Sequence, residues 1–322
     1  MRLPTPRGPV SEHVVRCLTG HVSSGGPAVP DDVLASDDAQ VALWMLYELH
    51  YRGFDSVDPD LEWDPAVLTR RLALERPVEA ALREAVRPRV ETVADRADVI
   101  EAIDTLVTSD DGPSVANHLH RTATRDELCA YLRERSIYHL KESDPHSFVL
   151  PRIDGAAKVG LAELQYDEYG AGRAAGLHST LFGDALEAAG LDRTYGAYID
   201  ECSAQTLAVN NAMSLFGLHR RLRGAAMGHL AAFEATSSLP SRRIAQGVRR
   251  LGLPEVVAHY YDEHVEADAV HEQLAARTIC GSLVADDPGL RDDVLLGVAT
   301  CLELDTRAAR AHLDAWVLQE AQ

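Results

Sequence analysis

The sequence predicts an all-α fold, and three observations lead to that prediction. Apolar residues recur at the three- and four-residue spacing of helices along most of the 322-residue chain. The strict alternation of apolar and polar residues that is typical of half-buried strands is nearly absent. Capping residues, glycines and prolines stand where the periodic segments begin and end. Together these observations favour a bundle of helices over any fold built on a sheet.

The first third of the chain is predicted to form a helical region of its own, residues 1–111. Its expected helices span residues 12–18, 39–51, 65–86 and 93–107. Trp44, Tyr47 and Tyr51 follow one another at three- and four-residue spacing, which is typical of a packing stripe on one helix face. We expect this stripe to pack inside the N-terminal region, and a dimer contact is a second use of it.

The rest of the chain, residues 112–322, is predicted to form a second helical domain. The run Ser109-Asp110-Asp111-Gly112-Pro113 combines residues that favour turns, so it marks the boundary. The expected helices of this domain span residues 125–143, 157–171, 177–189, 203–236, 240–251, 254–281 and 289–318. The domain therefore reads as a bundle of about seven helices.

Composition and charge exclude several classes of function. The formal net charge is −19, and nucleic acids and anionic membranes are bound by clustered Lys and Arg. We therefore expect neither as a partner. No apolar run is long enough for a membrane span, and no signal peptide is visible. The five cysteines lack the C-x-x-C spacing and are too few for a disulfide framework, so a reducing cytoplasm is expected.

The densest polar motif is the segment from His264 to His271. At about 100° per residue, His264, Asp268 and His271 fall on a narrow arc of one helix. Two imidazoles and one carboxylate on one face suit iron, manganese or zinc. The alternative is a solvated acidic helix face on which the histidines are incidental.

Two more segments supply candidate metal ligands. Glu168 and His178 are ten residues apart, about three helical turns, so they could lie on one side of a single helix. Glu142 stands at the end of the preceding helix, and His146 nearby is a rival ligand. Each of these residues on its own is more typical of a surface or capping position.

Taken together, the three segments offer three carboxylates and three imidazoles on separate helices of one bundle. Helix-bundle di-iron sites are built from such inward-pointing residues. The repeated Glu-x-x-His pair of ferritin-like sites is missing, because Asp268 precedes His271 at that spacing and Ala175 precedes His178. A ferritin-like scaffold is therefore disfavoured.

The order of these motifs resembles the haem-oxygenase-like di-iron oxidases and oxygenases, also called iron-containing redox enzymes, over about residues 115–300. The resemblance implies a seven-helix bundle preceded by an N-terminal helical extension. It also implies six ligands to two iron ions: Glu142, Glu168, His178, His264, Asp268 and His271. The ligand order is closest to the arginine N-oxygenase branch of the family. The cupin domain of that branch is not expected here, because the chain ends within a predicted helix.

The resemblance further implies the cofactors and partners. Two iron ions would activate dioxygen as a co-substrate. Electrons would come from an external reductase or a ferredoxin, because the chain has no G-x-G-x-x-G nucleotide-binding motif. The substrate would be a small molecule, and we expect a homodimer.

Three functions stay open at this point. The favoured one is N-oxygenation of an amine of an amino acid or a derivative, in specialised metabolism. The alternatives are desaturation or oxidative carbon–carbon cleavage of an amino or fatty acid, and a helical binding protein with a degenerate metal site. A polar pocket would favour an amine substrate, and an apolar tunnel a fatty acid. Glu234 is the candidate substrate contact, and Tyr166 and Tyr169 are candidates for supporting the ligands from behind.

Overall fold

The computed structural model describes residues 1–21 and 25–320, apart from the side chains of residues 266–270 and of residues 319–320. Regular secondary structure in this part of the chain is helical throughout, and it contains no strand. The prediction of an all-α fold is confirmed.

The α-helices are α1 (Pro9–Leu18), α2 (Asp37–Glu48), α3 (Pro65–Glu91), α4 (Val99–Thr108), α5 (Val115–Arg121), α6 (Arg125–His139), α7 (Asp144–Ser147), α8 (Gly155–Glu168), α9 (His178–Ala188), α10 (Ala204–Leu218), α11 (Arg223–Ala235), α12 (Ser238–Arg250), α13 (Glu255–Gln273), α14 (Ser282–Asp286) and α15 (Arg291–Glu320). A π-helical segment, Leu274–Gly281, joins α13 to α14. Short 3₁₀ turns lie at Pro59–Trp63, Leu150–Arg152, Ala174–Gly176, Ile199–Glu201, Arg220–Leu222 and Pro288–Leu290.

Polar caps fix where several helices begin. The Ser36 side chain accepts a hydrogen bond from the backbone N–H of Ala39 at the start of α2. Thr124 and Glu127 cap α6 reciprocally, since each side chain accepts a hydrogen bond from the backbone N–H of the other residue. These bonds satisfy N–H groups that have no partner within the helix, so the first turn is stable there.

The helix predicted over residues 203–236 is two helices. The backbone of His219 is extended, with φ −101° and ψ 113°, and a 3₁₀ turn follows before α11 begins. The break separates α10, which packs on α2, from α11, which packs along α15. The sequence pattern missed it because the residues on both sides of His219 keep helical periodicity. The short helix α5 was also missed, since it buries only Ala116 and Leu119.

The sequence spacing allowed Glu168 and His178 to lie on one helix, but the structure places them on two. Glu168 is the last residue of α8 and His178 is the first of α9. Gly170 and Gly172 between them have φ of +81° and +78°, a region that glycine adopts without strain. The chain therefore turns back on itself, and the turn rather than a helix face brings the two side chains together.

The closest helix contact in the core is between α11 and α15. A Cβ atom built on Gly228 would lie 1.9 Å from the carbonyl oxygen of Val294, and one on Gly297 would lie 2.0 Å from that of Ala225. Only glycine permits this approach of the two backbones. The contact holds α11, which carries Glu234, firmly against the centre of the bundle.

The N-terminal helices pack onto the bundle and share its hydrophobic core. α2 contacts α10, and α3 and α4 contact α15. Trp44 and Tyr47 are each 1% exposed, so these two residues of the predicted stripe lie in the core of this chain. Their use in a dimer contact, one of the two expectations, is therefore wrong. Tyr51 is partly buried, and its hydroxyl lies 3.0 Å from Ser214 Oγ.

Two expectations drawn from composition can be compared with the structure. The five cysteines are all free, as expected for a chain without a disulfide framework. Among the described helices, none combines the length and the apolar character that a membrane span requires.

Candidate metal centre

Three buried side chains form the first of two clusters, which we call cluster one: Glu142, His178 and His264. One donor atom from each lies within 4.8 Å of the others. Glu142 stands in the turn after α6, three residues beyond the end of that helix and not within it as the sequence predicted, while His178 opens α9 and His264 lies in α13. Segments distant in sequence thus converge on one point inside the bundle.

Cluster two consists of Glu168, Glu234 and His271, whose donor atoms also lie within 4.8 Å of one another. They come from the end of α8, from α11 and from the last part of α13. All three are buried, with His271 only 1% exposed. Buried carboxylates and imidazoles at this density require partners, either protons or a cation.

Glu168 faces both clusters. Its Oε2 lies 3.0 Å from Nδ1 of His178 in cluster one. Its Oε1 lies 3.5 Å from Nδ1 of His271 in cluster two. Its two oxygens therefore lie within reach of both donor sets, and Glu168 could serve a cation held by either cluster.

The spacing of the donor atoms is compatible with metal coordination. Nδ1 of His178 and Nδ1 of His271 are buried and have no hydrogen bond among the described residues. The nearest carboxylate oxygens lie at 3.0 Å from the first and at 3.5 and 3.6 Å from the second. Ligand atoms that share a metal at about 2.1 Å are roughly 3.0–3.4 Å apart. The donor set therefore fits one ion in each cluster.

Two side chains hold Glu142 in place. Nδ1 of His139 lies 3.0 Å from its Oε1, and the Tyr260 hydroxyl donates to its Oε2 at 2.9 Å. Arg135 Nε donates to His139 Nε2 at 3.2 Å, so the ring proton of a neutral His139 is on Nδ1 and points at Glu142. Burial lowers the pKa of His139 to about 4, which keeps the ring neutral near pH 7.

The protonation states of the clusters show what a cation would displace. Burial alone would raise the pKa of Glu142, but His139 and His264 hold it well below its usual range. Burial alone would lower the pKa of His271, but Glu234 and Glu168 raise it to about 9. Without a metal, a protonated His271 therefore balances part of the negative charge of these carboxylates, and a bound cation would take over that role.

A network of hydrogen bonds holds the Glu168 carboxylate in place through Ser143. Ser143, which has φ +68°, donates its hydroxyl to Glu168 Oε2 at 3.1 Å. Gln165 Nε2 donates to the Ser143 carbonyl and to Ser147 Oγ at 2.9 and 2.6 Å. The Tyr169 hydroxyl lies 2.7 Å from Ser147 Oγ, at the outer end of the same network.

Tyr166 is 58% exposed and donates to the carbonyl of Ala171, so its bond closes the turn between α8 and α9.

Five of the six ligands predicted from the sequence converge in the two clusters, and the side chain of Asp268 lies outside the described residues. Glu234, predicted as a substrate contact, lies in cluster two instead of standing apart from the metal ligands. His146, the rival ligand, is buried beside His229 with 6.4 Å between ring centroids. Neither of its ring nitrogens has a hydrogen bond among the described residues, and it belongs to neither cluster.

Three residues of the site, His139, Tyr260 and Ser143, were not predicted from the sequence. His139 and Tyr260 had a detectable signal, since each precedes a predicted ligand by one helical turn: His139 precedes Glu142 by three residues and Tyr260 precedes His264 by four. Nothing in the sequence marks Ser143, because its role depends on the positive φ of the turn after α6.

A cavity of about 290 Å³ reaches cluster one from the side of α6, α12 and α15, and Glu142 and His264 form part of its wall. Its other walls include Arg135, Asp305 and His312, together with several hydroxyl groups. Val209, Phe233 and Ile244 also line it, so the pocket combines an apolar surface with charges of both signs.

Comparison with known proteins agrees with this geometry. The model of a family described as iron-containing redox enzymes matches residues 129–306. A nitrosourea synthase from Streptomyces achromogenes subsp. streptozoticus is 25% identical over 241 residues, which cover 69% of this chain and 51% of that protein. The chain thus spans about half the length of this curated relative.

A solved structure supports the fold. It is a CADD-like protein of unknown function from Nostoc punctiforme PCC 73102, with a TM-score of 0.50 and 14% identity. The match covers 73% of this chain and 98% of the other. The haem-oxygenase-like helical fold is therefore confirmed, and the chain belongs to the family of iron-containing redox enzymes.

Proposed function

We propose that the chain is a non-haem di-iron enzyme that uses dioxygen, with one iron held by each cluster. The observation that supports this most directly is the position of Glu168 between the clusters. The proposed ligands are Glu142, His178 and His264 in cluster one and Glu234 and His271 in cluster two, with Glu168 between them. Asp268, from the family pattern, is a further proposed ligand.

The iron pair would supply the electrons that activate dioxygen. The chain's own residues would do the rest. Neutral His139 and the Tyr260 hydroxyl orient Glu142, and Ser143 orients Glu168. The proposed ligands whose side chains the structure describes are nearly inaccessible, so the bundle keeps bulk water from the reacting centre.

The proposed reaction is N-oxygenation of an amine of an amino acid or a derivative. The charged side chains on the cavity wall, Arg135 and Asp305, support a charged amine substrate better than a fatty acid, which would need an uninterrupted apolar tunnel. The similarity to a nitrosourea synthase also favours chemistry on nitrogen. The two complete clusters argue against a degenerate site in a protein that only binds.

The test is a product analysis with isotopic dioxygen. The chain is loaded with Fe(II), supplied with a chemical reductant, and incubated with amino acids and amines under ¹⁸O₂. We expect a product that retains its nitrogen and carries the heavy isotope on it, and we expect Glu168→Gln to abolish it. Oxygen consumption that yields an alkene or a cleaved carbon skeleton would instead establish the alternative reactions. No substrate-dependent oxygen consumption would contradict the proposal.

We also propose an external reductase or ferredoxin as the electron donor, and a homodimer in the cytoplasm. Replacing the chemical reductant with a ferredoxin and its reductase should sustain turnover. Light scattering of the purified chain measures the oligomeric state directly.

A further inference from the structure

The cavity that leads to cluster one carries two charged side chains on its walls that are not metal ligands and lack an ion-pair partner. Arg135 comes from α6 and Asp305 from α15. Asp110 also lines the cavity, but its carboxylate is already bound by Arg89 at 2.7 Å. Arg135 and Asp305 are therefore the charged groups of the wall that a ligand could neutralise.

Arg135 lies among aromatic rings. Its guanidinium is 5.9 Å from the ring centroid of Tyr138, and Tyr131 and Tyr261 line the same cavity. Nε is used by His139, while among the described residues no carboxylate forms an ion pair with the guanidinium. A guanidinium presents paired N–H donors that match the two oxygens of a carboxylate. The free edge of Arg135 is therefore suited to a carboxylate ligand.

Asp305 is the opposite charge on the facing helix. In the described part of the chain its hydrogen-bond partner is the Cys301 thiol, 3.9 Å from Oδ2, and it forms no ion pair. Arg135 and Asp305 attract each other across the cavity, but their charged atoms are too far apart for a direct ion pair. A carboxylate in a confined pocket is stabilised by a cation, so this side chain is suited to an ammonium group.

We propose that the cavity binds an α-amino acid, with its carboxylate on Arg135, its ammonium on Asp305 and its side chain directed toward cluster one. The inference deepens the proposed function, on which it rests for the reaction that follows binding. A fatty acid would leave Asp305 without a partner, and a simple amine would leave Arg135 without one. A zwitterion satisfies both.

Arg135, the proposed carboxylate-binding residue, lies close to cluster one. Only the His139 ring separates Arg135 from Glu142, with contacts of 3.2 Å on one side and 3.0 Å on the other. An amino acid anchored at Arg135 would thus place its side chain beside cluster one. The cavity volume of about 290 Å³ is at the lower end for small-molecule sites, which start at roughly 300 Å³, and fits a ligand of this size.

The test measures binding, so that it is independent of oxygen chemistry. Calorimetric titrations are made on the full chain without dioxygen, with and without Fe(II). The probes are the twenty standard amino acids and ornithine, and for the tightest binder its carboxamide and its analogue without the α-amine. We expect at least one amino acid to bind, and both analogues to bind at least about tenfold more weakly.

Variants of Arg135 and Asp305 test which side chain binds the carboxylate of the ligand and which binds its ammonium group. Arg135→Gln should weaken binding by at least about tenfold and abolish the preference for the acid over the carboxamide. Asp305→Asn should abolish the preference for the α-amine. Arg133→Gln and Asp314→Asn change partly exposed and exposed residues of the same two helices and should leave binding unchanged. Arg135→Lys retains the positive charge and serves as a second variant if Arg135→Gln unfolds.

The proposal is overturned if no amino acid of the panel binds, or if Arg135→Gln and Asp305→Asn bind the tightest amino acid and both analogues as the parent does. Decanoate is titrated as a fatty-acid probe, and binding of decanoate but of no amino acid would also overturn the proposal. Amino acid binding that depends on these residues, but without oxygen consumption, would uphold this inference and contradict the proposed enzyme function.

Discussion

At the scale of single residues, the candidate site depends on how each buried ligand is held by its neighbours. Tyr260 donates to Glu142 Oε2 at 2.9 Å, while the hydroxyl of the adjacent Tyr261 is buried without a hydrogen-bond partner in the described structure. The two tyrosines therefore differ in the one contact that matters for the site, and they form a matched pair for mutation.

Tyr260→Phe should weaken iron binding by about 10- to 100-fold, because residues that orient metal ligands have effects of this size. The measurement is an anaerobic titration with Fe(II) in competition with a chelator. Tyr261→Phe should leave the affinity unchanged. Equal losses in the two variants would show that general packing, and not the bond to Glu142, is responsible.

Glu234→Gln should reduce the capacity for iron from two ions to one, because it removes a negative ligand from cluster two and leaves cluster one intact. The measurement is iron content after anaerobic loading and gel filtration. Glu263→Gln, at an exposed position on α13, is the control and should keep two ions. An unchanged capacity in Glu234→Gln would mean that Glu234 is not a ligand.

The sequence predicted the residues of the site better than their roles. Glu234 was detected because a carboxylate interrupts the apolar stretch before it, yet a sequence pattern cannot tell a ligand from a substrate contact. That distinction depends on which helix α11 faces, and the close contact at Gly228 and Gly297 decides this. Ser143 could not be predicted, because its contact depends on a backbone turn.

At the scale of elements, helix existence was predictable and helix breaks were not. The interruption at His219 occurs within continuous helical periodicity, so tertiary packing of α10 and α11 on different neighbours must decide it. The turn between α8 and α9 had a visible signal in its glycines. Its consequence, the contact of Glu168 with His178, follows only from the folded path.

A buried ion pair ties the N-terminal helices to the bundle beside the site. Lys141 Nζ lies 3.0 Å from Glu48 Oε2, and both side chains are almost completely buried. The Tyr195 hydroxyl donates to the same oxygen at 2.7 Å, and the Tyr51 ring centroid lies 4.0 Å from Nζ. Since Lys141 precedes Glu142 directly, the pair also fixes the backbone that carries a proposed ligand.

Glu48→Gln should lower the free energy of unfolding by about 3–5 kcal/mol, because it leaves the charge of Lys141 buried without a counter-ion. Urea denaturation measures this difference. The double variant Glu48→Gln with Lys141→Met removes both charges and should recover part of the loss. If the double variant is less stable than the parent by the sum of the losses measured for Glu48→Gln and Lys141→Met alone, the pair has no coupling.

At the scale of the whole molecule, the fold class and the family followed from the sequence because they depend on local periodicity and on motif order. The packing of α2, α3 and α4 onto the bundle, in one continuous core, depends on contacts between residues far apart in the chain. Periodicity carries no information about those contacts.

The buried histidines predict how stability changes with pH. Burial lowers the pKa of His146 to about 4 and that of His229 to about 3 from the ordinary value of 6.5. At pH values between each lowered pKa and 6.5, that histidine binds a proton in the unfolded chain but not in the folded chain. Stability should therefore fall as the pH decreases below about 6.5, and each histidine contributes up to about 1.4 kcal/mol per pH unit.

His229→Asn should reduce the loss of stability between pH 7 and pH 5 by about 2 kcal/mol, whatever its effect at pH 7. Urea midpoints at the two pH values measure the loss. His259→Asn, at an exposed position, should leave it as in the parent. The same acid sensitivity in His229→Asn and the parent would show that His229 is not the source.

The central claim is that two adjacent clusters, joined by Glu168, each hold one iron. An anaerobic titration with Fe(II), followed by mixing with dioxygen in a stopped-flow spectrometer, tests it most directly. We predict that the parent binds two ions per chain and shows a transient visible absorption band after mixing. In Glu168→Gln, we predict that the two-ion stoichiometry and the band are both lost. Binding of one ion or none, or two ions without any reaction with dioxygen, would contradict the account.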